Sequence, residues 1–279
     1  MLGALRIAWV VLGLGAISAL GVAVSTNVDG RRHDEYSDHT RSVRELDARL
    51  NEEVAKSRLG IVTHYDDLVR TDDRLRFVQR ELGEIPDYVA EEDRRTIARR
   101  LERFAGTLDD KRDLVESFKT EQAILRNSLR AFPRGADRLL DRVEDTPDTG
   151  ALHDALEKLR HDVMRLALAP SRELALQTRC DLRALGDDAQ DGRGQSCSAE
   201  RVEVPASLSP ALDTVLSHAR IIIERRKSTE DLVAEIMTLP GSERSRAVAD
   251  AYDDAYRAAE ESSRARWAVF LALGAALLM

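Results

Sequence analysis

The sequence of 279 residues predicts an all-helical fold, and three observations support that prediction. Charged residues make up 33% of the chain and aromatic residues only 4%, a composition that favours helix because straight-chain residues keep their rotamer freedom there. Apolar residues recur every three or four positions, and no stretch alternates strictly enough to predict a strand. The seven prolines fall between these periodic stretches, where we expect helices to begin or end.

Two apolar stripes show the helical period most clearly. One runs from Leu101 to Leu129 and the other from Leu212 to Ile223, and each predicts a helix with one apolar face. Ser209 followed by proline is typical of a helix start, since serine caps the first turn and proline fits within it. The stripes and boundaries together predict helices near residues 30–58, 60–82, 88–104, 107–131, 134–144, 149–168, 171–185, 210–238 and 241–279.

Both ends of the chain are apolar. Residues 7–25 are just long enough for a helix to cross a hydrocarbon layer of about 30 Å. Arg6 favours a short cytoplasmic end, residues 1–6; a cleaved signal peptide is the alternative, although its apolar core would be unusually long. The apolar stretch from Trp267 is too short to cross alone, so we expect residues 266–279 to start a second transmembrane helix.

The polar segment between these ends, residues 26–265, would lie on one side of the membrane, and its cysteines indicate which side. Cys180 and Cys197 flank a Gly- and Asp-rich loop with little to bury, so a disulfide there would restrain a segment that cannot hold itself. Disulfides persist in oxidising compartments, which favours the periplasm. Free thiols remain the alternative, and metal binding is disfavoured because no second pair or nearby histidine completes a site.

The sequence contains none of the common catalytic or nucleotide-binding motifs. It lacks a Gly-rich phosphate loop, an H-E-x-x-H and a G-x-S-x-G, and its six histidines are scattered. Its net charge of −8 comes from interleaved acidic and basic residues, with no basic block that would suit a nucleic acid. We therefore expect no catalytic residue, no cofactor, no metal site and no nucleic-acid partner for this chain.

Two helical stretches, residues 50–69 and 111–133, mix polar residues into an otherwise apolar face. Buried groups of this kind must be paired, so they form either a network that fixes the packing or a pocket lined for a ligand. The candidates are Arg58, Tyr65 and Asp66 in the first stretch, which we expect to meet Phe118, Lys119, Asn127 and Ser128 in the second.

The same two stretches resemble a known family. The run R-x-G-x-x-x-x-Y-D-x-L-V begins at Arg58, and the run E-x-F-K-T-x-x-A-x-L-x-N-S-L begins at Glu116. Both are similar to motifs of the DAHL domain, the double all-helical ligand-binding sensor domain of bacterial membrane histidine kinases. Two positions depart from the family pattern, namely Asp67, where proline is expected, and Gln122, where asparagine is common.

The resemblance implies an all-α fold of two stacked antiparallel helical bundles, flanked by an N-terminal and a truncated C-terminal transmembrane helix. Residues 26–265 would then be the periplasmic sensor of a two-component histidine kinase in the bacterial inner membrane, and the chain would be the N-terminal part of that enzyme. Its partners would be a small-molecule ligand or a periplasmic binding protein, and a second copy in a homodimer. The alternatives are a membrane-anchored helical scaffold, or the sensor module of a chemoreceptor or a cyclic-nucleotide enzyme.

Overall fold

The computed structural model describes residues 28–62, 64–186 and 201–278, with side chains as far as residue 272, and the backbone of two glycines near the N-terminus. Within these residues the structure has seven helices and no strand, so the predicted all-α class is confirmed. The helices are α1 (Gly30–Arg58), α2 (Asp66–Glu81), α3 (Glu91–Glu144), α4 (Gly150–Leu168), α5 (Arg172–Ala184), α6 (Ser209–Thr238) and α7 (Gly241–Leu278).

Helix α3 differs from the sequence-based prediction. The three helices predicted between residues 88 and 144 are one helix of 54 residues. The prediction that Pro133 ends a helix is wrong, since Pro133 lies inside α3. Phe132 and Ala136 on either side of it are buried in the same apolar core. Burial of both flanking turns outweighs the hydrogen bond that proline cannot donate, so the helix continues.

The chain divides into two compact units, each with helices from both halves of the sequence. The first unit comprises the described residues up to 54, residues 62–112 and the chain from residue 239 onward. It contains most of α1, all of α2, the first part of α3 and α7. The second unit comprises residues 55–61 and 113–238, and it contains the rest of α3 with α4, α5 and α6.

Each unit has its own apolar core. In the first unit Leu50 of α1, Leu75 of α2 and Phe104 of α3 are at most 1% exposed. In the second unit Leu159 of α4 and Ile222 of α6 are fully buried, and they belong to one cluster with apolar residues of α3 and α5. The three- and four-residue spacing seen in the sequence places these side chains on one face of each helix.

A buried ion pair joins three helices of the first unit. Lys111 of α3 donates from Nζ to Oδ1 of Asp47 in α1 at 2.5 Å and to Oδ1 of Asn51 at 3.1 Å. The side chains of Lys111 and Asp47 are only 1% and 5% exposed. A Cβ on Gly241, the first residue of α7, would lie 2.8 Å from Oδ2 of Asp47. The carboxylate therefore lies against the N-terminus of α7, where the helix dipole stabilises an anion.

Tyrosines of α1 and α7 form a second polar cluster in the first unit. The hydroxyl of Tyr252 lies 2.6 Å from the hydroxyl of Tyr88 and 3.1 Å from Nδ1 of His33. The ring of Tyr36 stacks on that of Tyr252 at 4.1 Å between centroids, and its hydroxyl donates to the Leu82 carbonyl at 3.0 Å. Burial raises the pKa of Tyr252 and of Tyr36, because a phenolate would lose its hydration there.

Several sequence-based predictions fall outside the described residues. These are the short cytoplasmic end, residues 1–6, the transmembrane helix 7–25 apart from two glycines, and Cys197. Cys180, the predicted partner of Cys197, is disulfide-bonded. Helix α7 continues to Leu278 through the predicted start of the second transmembrane helix. Within the part of the chain that the structure describes, no helix is both long enough and apolar enough to cross a membrane.

We predict that Gly241→Ala destabilises the first unit by about 1–3 kcal/mol, because the added Cβ would collide with the Asp47 carboxylate. Gly106→Ala is the matched control, since Gly106 is exposed in α3 and nothing lies within 4 Å of its Cβ position. Alanine is the better helix former, so the control should gain about 0.5–1 kcal/mol. Urea unfolding measures both variants, and stabilisation by both would contradict the close approach.

We predict that Lys111→Met lowers the free energy of unfolding by about 3–5 kcal/mol, because it leaves the Asp47 carboxylate buried without its cation. Adding Asp47→Asn removes the buried charge that has lost its partner. The free energy of unfolding of the double variant should therefore fall by less than the sum of the losses in the two single variants. The exposed pair Arg257–Asp254, with side chains 69% and 72% exposed, provides the control. Arg257→Met should cost less than about 1 kcal/mol. Strict additivity at positions 47 and 111 would contradict the coupling.

We predict a loss of stability in alkaline solution that depends on Tyr252. Its folded-state pKa is raised above the usual 10.0, so the folded protein holds the proton more tightly than the unfolded chain. The contribution is fully present below pH 10 and is lost as pH rises beyond it, by up to about 1.4 kcal/mol per pH unit for each such tyrosine. Tyr252→Phe should make that decline less steep in denaturation curves from pH 8 to 11, and an unchanged slope would refute this assignment.

Candidate functional site

The second unit contains a cavity of about 830 Å³, a volume typical of small-molecule sites. Its wall is formed by the end of α1, the end of α4, α5 and one stretch of α6. Apolar side chains of α4, α5 and α6 cover part of the wall. The charged lining residues are Arg58, Arg172, Arg179, Arg226, Lys227 and Glu230, so five cations face one carboxylate.

Local sequence signals explain how two of the helices present these side chains. Ser171 caps α5, its hydroxyl accepting the Leu174 backbone N–H at 3.1 Å, so the helix begins at Arg172. Arg172 and Arg179 are then seven positions apart, about two turns, which places them on the same face of α5. In α6 the spacing of four between Arg226 and Glu230 has the same effect.

Glu230 is the centre of the polar contacts in the cavity wall. Arg58 donates from Nε to Oε1 at 3.0 Å and from Nη2 to Oε2 at 2.7 Å, which is the paired geometry that guanidinium and carboxylate groups favour. Nη2 of Arg226 lies 3.3 Å from Oε1 of the same carboxylate. One glutamate therefore serves two arginines.

Arg226 is a largely buried cation of the wall, with only 11% of its side chain exposed. Its Nε is buried and has no hydrogen-bond partner among the described residues. Burial lowers the pKa of Arg226; the Glu230 carboxylate raises it, and the neighbouring Arg58 lowers it again. The Glu230 carboxylate therefore offsets only part of the cost of burying this guanidinium.

The other cations of the wall differ in their partners. Lys227 donates to Oδ2 of Asp231 at 2.8 Å, and Arg179 also has a partner of its own. Arg172 has no hydrogen bond or ion pair with another described residue, and it is exposed on the first turn of α5. The wall thus carries an excess of positive charge that suits an anion. No cluster of histidine, cysteine, aspartate or glutamate in the described ranges could hold a metal ion.

The structure separates the candidates of the first polar stretch. Arg58 belongs to the second unit and lines the cavity. Tyr65 and Asp66 belong to the first unit, where Tyr65 precedes α2 and is half-buried and Asp66 is exposed in its first turn. An acidic residue in the first turn complements the helix dipole. The predicted meeting of Tyr65 and Asp66 with the second stretch joins residues of different units, and it stays a prediction.

The candidates of the second stretch all lie on α3 in the second unit, outside the cavity lining. Phe118 is fully buried, and Ser128 is buried with its hydroxyl 3.4 Å from Nδ1 of His218. Lys119 donates to a glutamate one turn earlier in the same helix at 2.7 Å, and Asn127 is exposed. Phe118 and Ser128 therefore have the buried character of a packing network, whereas Lys119 is partly buried and Asn127 faces the surface.

Sequence reasoning missed the cavity residues of α5 and α6. The run Arg225 to Lys227 begins two residues after the apolar stripe ends at Ile223, and Glu230 follows one turn after Arg226. Such a pattern is also typical of a solvated helix face. Nothing in the sequence indicates that α5 lies beside this part of α6. Arg58, the first residue of the first motif, was the cavity residue that the sequence did indicate.

Comparison with known proteins agrees with the two motifs. A family model described as the DAHL domain matches residues 28–265, which include the charged residues that line the cavity. No curated protein is similar enough to count as a relative. The DAHL domain is a helical sensor domain, which accords with the all-α structure. On this match over most of its length, the chain belongs to the DAHL domain family.

Proposed function

We propose that the chain is the extracytoplasmic sensor of a membrane-anchored two-component histidine kinase, and that its signal binds in the cavity of the second unit. The observation that carries this proposal is a cation-lined cavity of ligand size in a member of a helical sensor family. In an all-helical chain without catalytic motifs, such a cavity serves recognition rather than chemistry. The proposal keeps the two stacked antiparallel bundles that the family resemblance implies.

Membrane anchoring rests on the two apolar ends and on what adjoins them. Residues 7–25 would form the first transmembrane helix and residues 266–279 the start of the second, with 26–265 in the periplasm of the bacterial inner membrane. Trp267, whose ring meets that of Phe270 edge to face at 5.9 Å, is of a residue type common at the membrane–water boundary. The disulfide at α5 supports an oxidising compartment.

Signalling would be mechanical. A small molecule, or a periplasmic binding protein that delivers one, shifts the population of two helix arrangements by its difference in affinity for them. Helix α7 runs without interruption from Gly241 past Trp267, so a slide or rotation of this helix would pass towards the cytoplasm. A homodimer would supply the second helix against which α7 moves. A kinase in the cytoplasm would respond to that movement.

The predicted topology is tested by inserting a reporter into the turn at residues 145–149, between α3 and α4. Alkaline phosphatase, which is active only in the periplasm, should be active there, and β-galactosidase at the same place should be inactive. The reverse pattern would refute the extracytoplasmic location.

The kinase assignment is tested on membranes that carry the full-length gene product. Incubation with labelled ATP should yield an acid-labile, alkali-stable phosphate, as expected of phosphohistidine. Absence of label would refute the kinase assignment and favour the alternative of a membrane-anchored helical scaffold. Methylation of the cytoplasmic region in place of phosphorylation would identify a chemoreceptor. Production of a cyclic nucleotide would identify the third alternative.

A further inference from the structure

The charged wall of the cavity indicates which chemical class of ligand the sensor binds. We infer that the cavity of the second unit binds a small organic dianion, specifically a dicarboxylate. The inference rests on the proposed sensor function, because it names the signal of that same site. The charge, the burial and the apolar surface of the lining residues support this ligand class.

The number of ligand charges follows from the partners of each cation. Arg58 and Arg226 share Glu230, so this group of three keeps one uncompensated positive charge. Arg172, which has no partner among the described residues, adds a second. Lys227 and Arg179 have partners of their own, so we do not count them as uncompensated positive charges. A ligand with two negative charges would neutralise the wall, whereas a monoanion would leave one arginine uncompensated.

The shape of the donors favours carboxylates over a compact inorganic ion. A guanidinium group presents planar pairs of N–H donors that match the two oxygens of a carboxylate. The contact of Arg58 with Glu230 shows this geometry in the cavity wall itself, at 2.7 and 3.0 Å. The guanidinium of Arg172, which is exposed and has no partner among the described residues, remains available as a donor for a ligand.

The apolar part of the wall favours a carbon skeleton between the two charges. Leu166 of α4, Leu176 of α5 and Ile223 of α6 line the cavity together with the arginines. A cavity of about 830 Å³ holds more than a single compact anion. An aliphatic chain would cover these side chains and exclude water from the ion pairs, which strengthens them. Sulfate or phosphate offers no such surface.

Glu230 has a second role under this proposal. Its carboxylate already pairs with Nε and Nη2 of Arg58 and lies 3.3 Å from Nη2 of Arg226, and its negative charge repels an incoming anion. It therefore fixes Arg58 and Arg226 when no ligand is bound, and it also limits the affinity for the ligand. Removing the charge at position 230 should tighten the binding of a dianion, which is the opposite of what loss of an ordinary ligand-contacting residue does.

The test measures binding to the full chain, purified in detergent, at constant ionic strength. Linear dicarboxylates from succinate to suberate are compared with butyrate and with sulfate by calorimetry and by thermal shift. At least one dicarboxylate should bind, and should bind at least tenfold more tightly than either butyrate or sulfate. Equal affinity for sulfate would refute the requirement for a carbon skeleton. Equal affinity for butyrate would refute the requirement for two negative charges. No binding across the series would overturn the whole inference.

Three variants locate the site. Arg172→Gln should weaken dicarboxylate binding at least tenfold without loss of folding, since Arg172 is exposed and unpaired among the described residues. Glu230→Gln should strengthen it. Arg225→Gln is the matched control, because Arg225 neighbours Arg226 in sequence but pairs at 2.7 Å with Glu121, outside the cavity lining. Equal weakening by Arg172→Gln and Arg225→Gln, or weakening by Glu230→Gln, would contradict the site.

These measurements separate failure of the ligand class from failure of the sensor function. Dicarboxylate binding that leaves phosphorylation of the full-length protein unchanged would refute the sensor function and retain the ligand class. An absence of binding in a protein that passes the topology and phosphorylation tests would refute the ligand class alone.

Discussion

The need to pair two buried charges governs the packing of the first unit. Lys111 and Asp47 lie almost wholly out of water, and each would cost several kcal/mol if it were left alone there. Their contact at 2.5 Å fixes α3 against α1. The same carboxylate lies at the N-terminus of α7, where only a residue without a side chain fits against it. One ion pair thus sets the relative positions of three helices, and the apolar faces pack around it.

The second unit uses charge in a different way. Its apolar core is closed by residues of four helices, but the cavity at the ends of α4 and α5 is lined by more cations than anions. Glu230 holds Arg58 and Arg226 and neutralises only part of their charge. In a balanced, buried pair such as Lys111–Asp47 each charge already has its partner, whereas the uncompensated charge beside the cavity leaves interaction energy for a ligand. This contrast is why we place recognition in the second unit.

Individual residues show how far sequence reasoning reached. The helical class and most helix positions followed from apolar spacing, which is a local property. The prediction failed at Pro133, where burial of Phe132 and Ala136 overrides the proline signal. Arg58 was singled out by its motif and does line the cavity, but the expected neighbours on α3 do not.

Residue spacing and motifs were enough to establish the all-α class, the apolar face of each helix and the membership of the DAHL domain family, because both are formed by residues close along the chain. The pairing of the charges, by contrast, became visible only in the packed helices. Arg58 and Glu230 stand 172 positions apart, and Lys111 and Asp47 stand 64 apart. Contacts over such separations depend on how whole helices pack, and no local pattern encodes that packing.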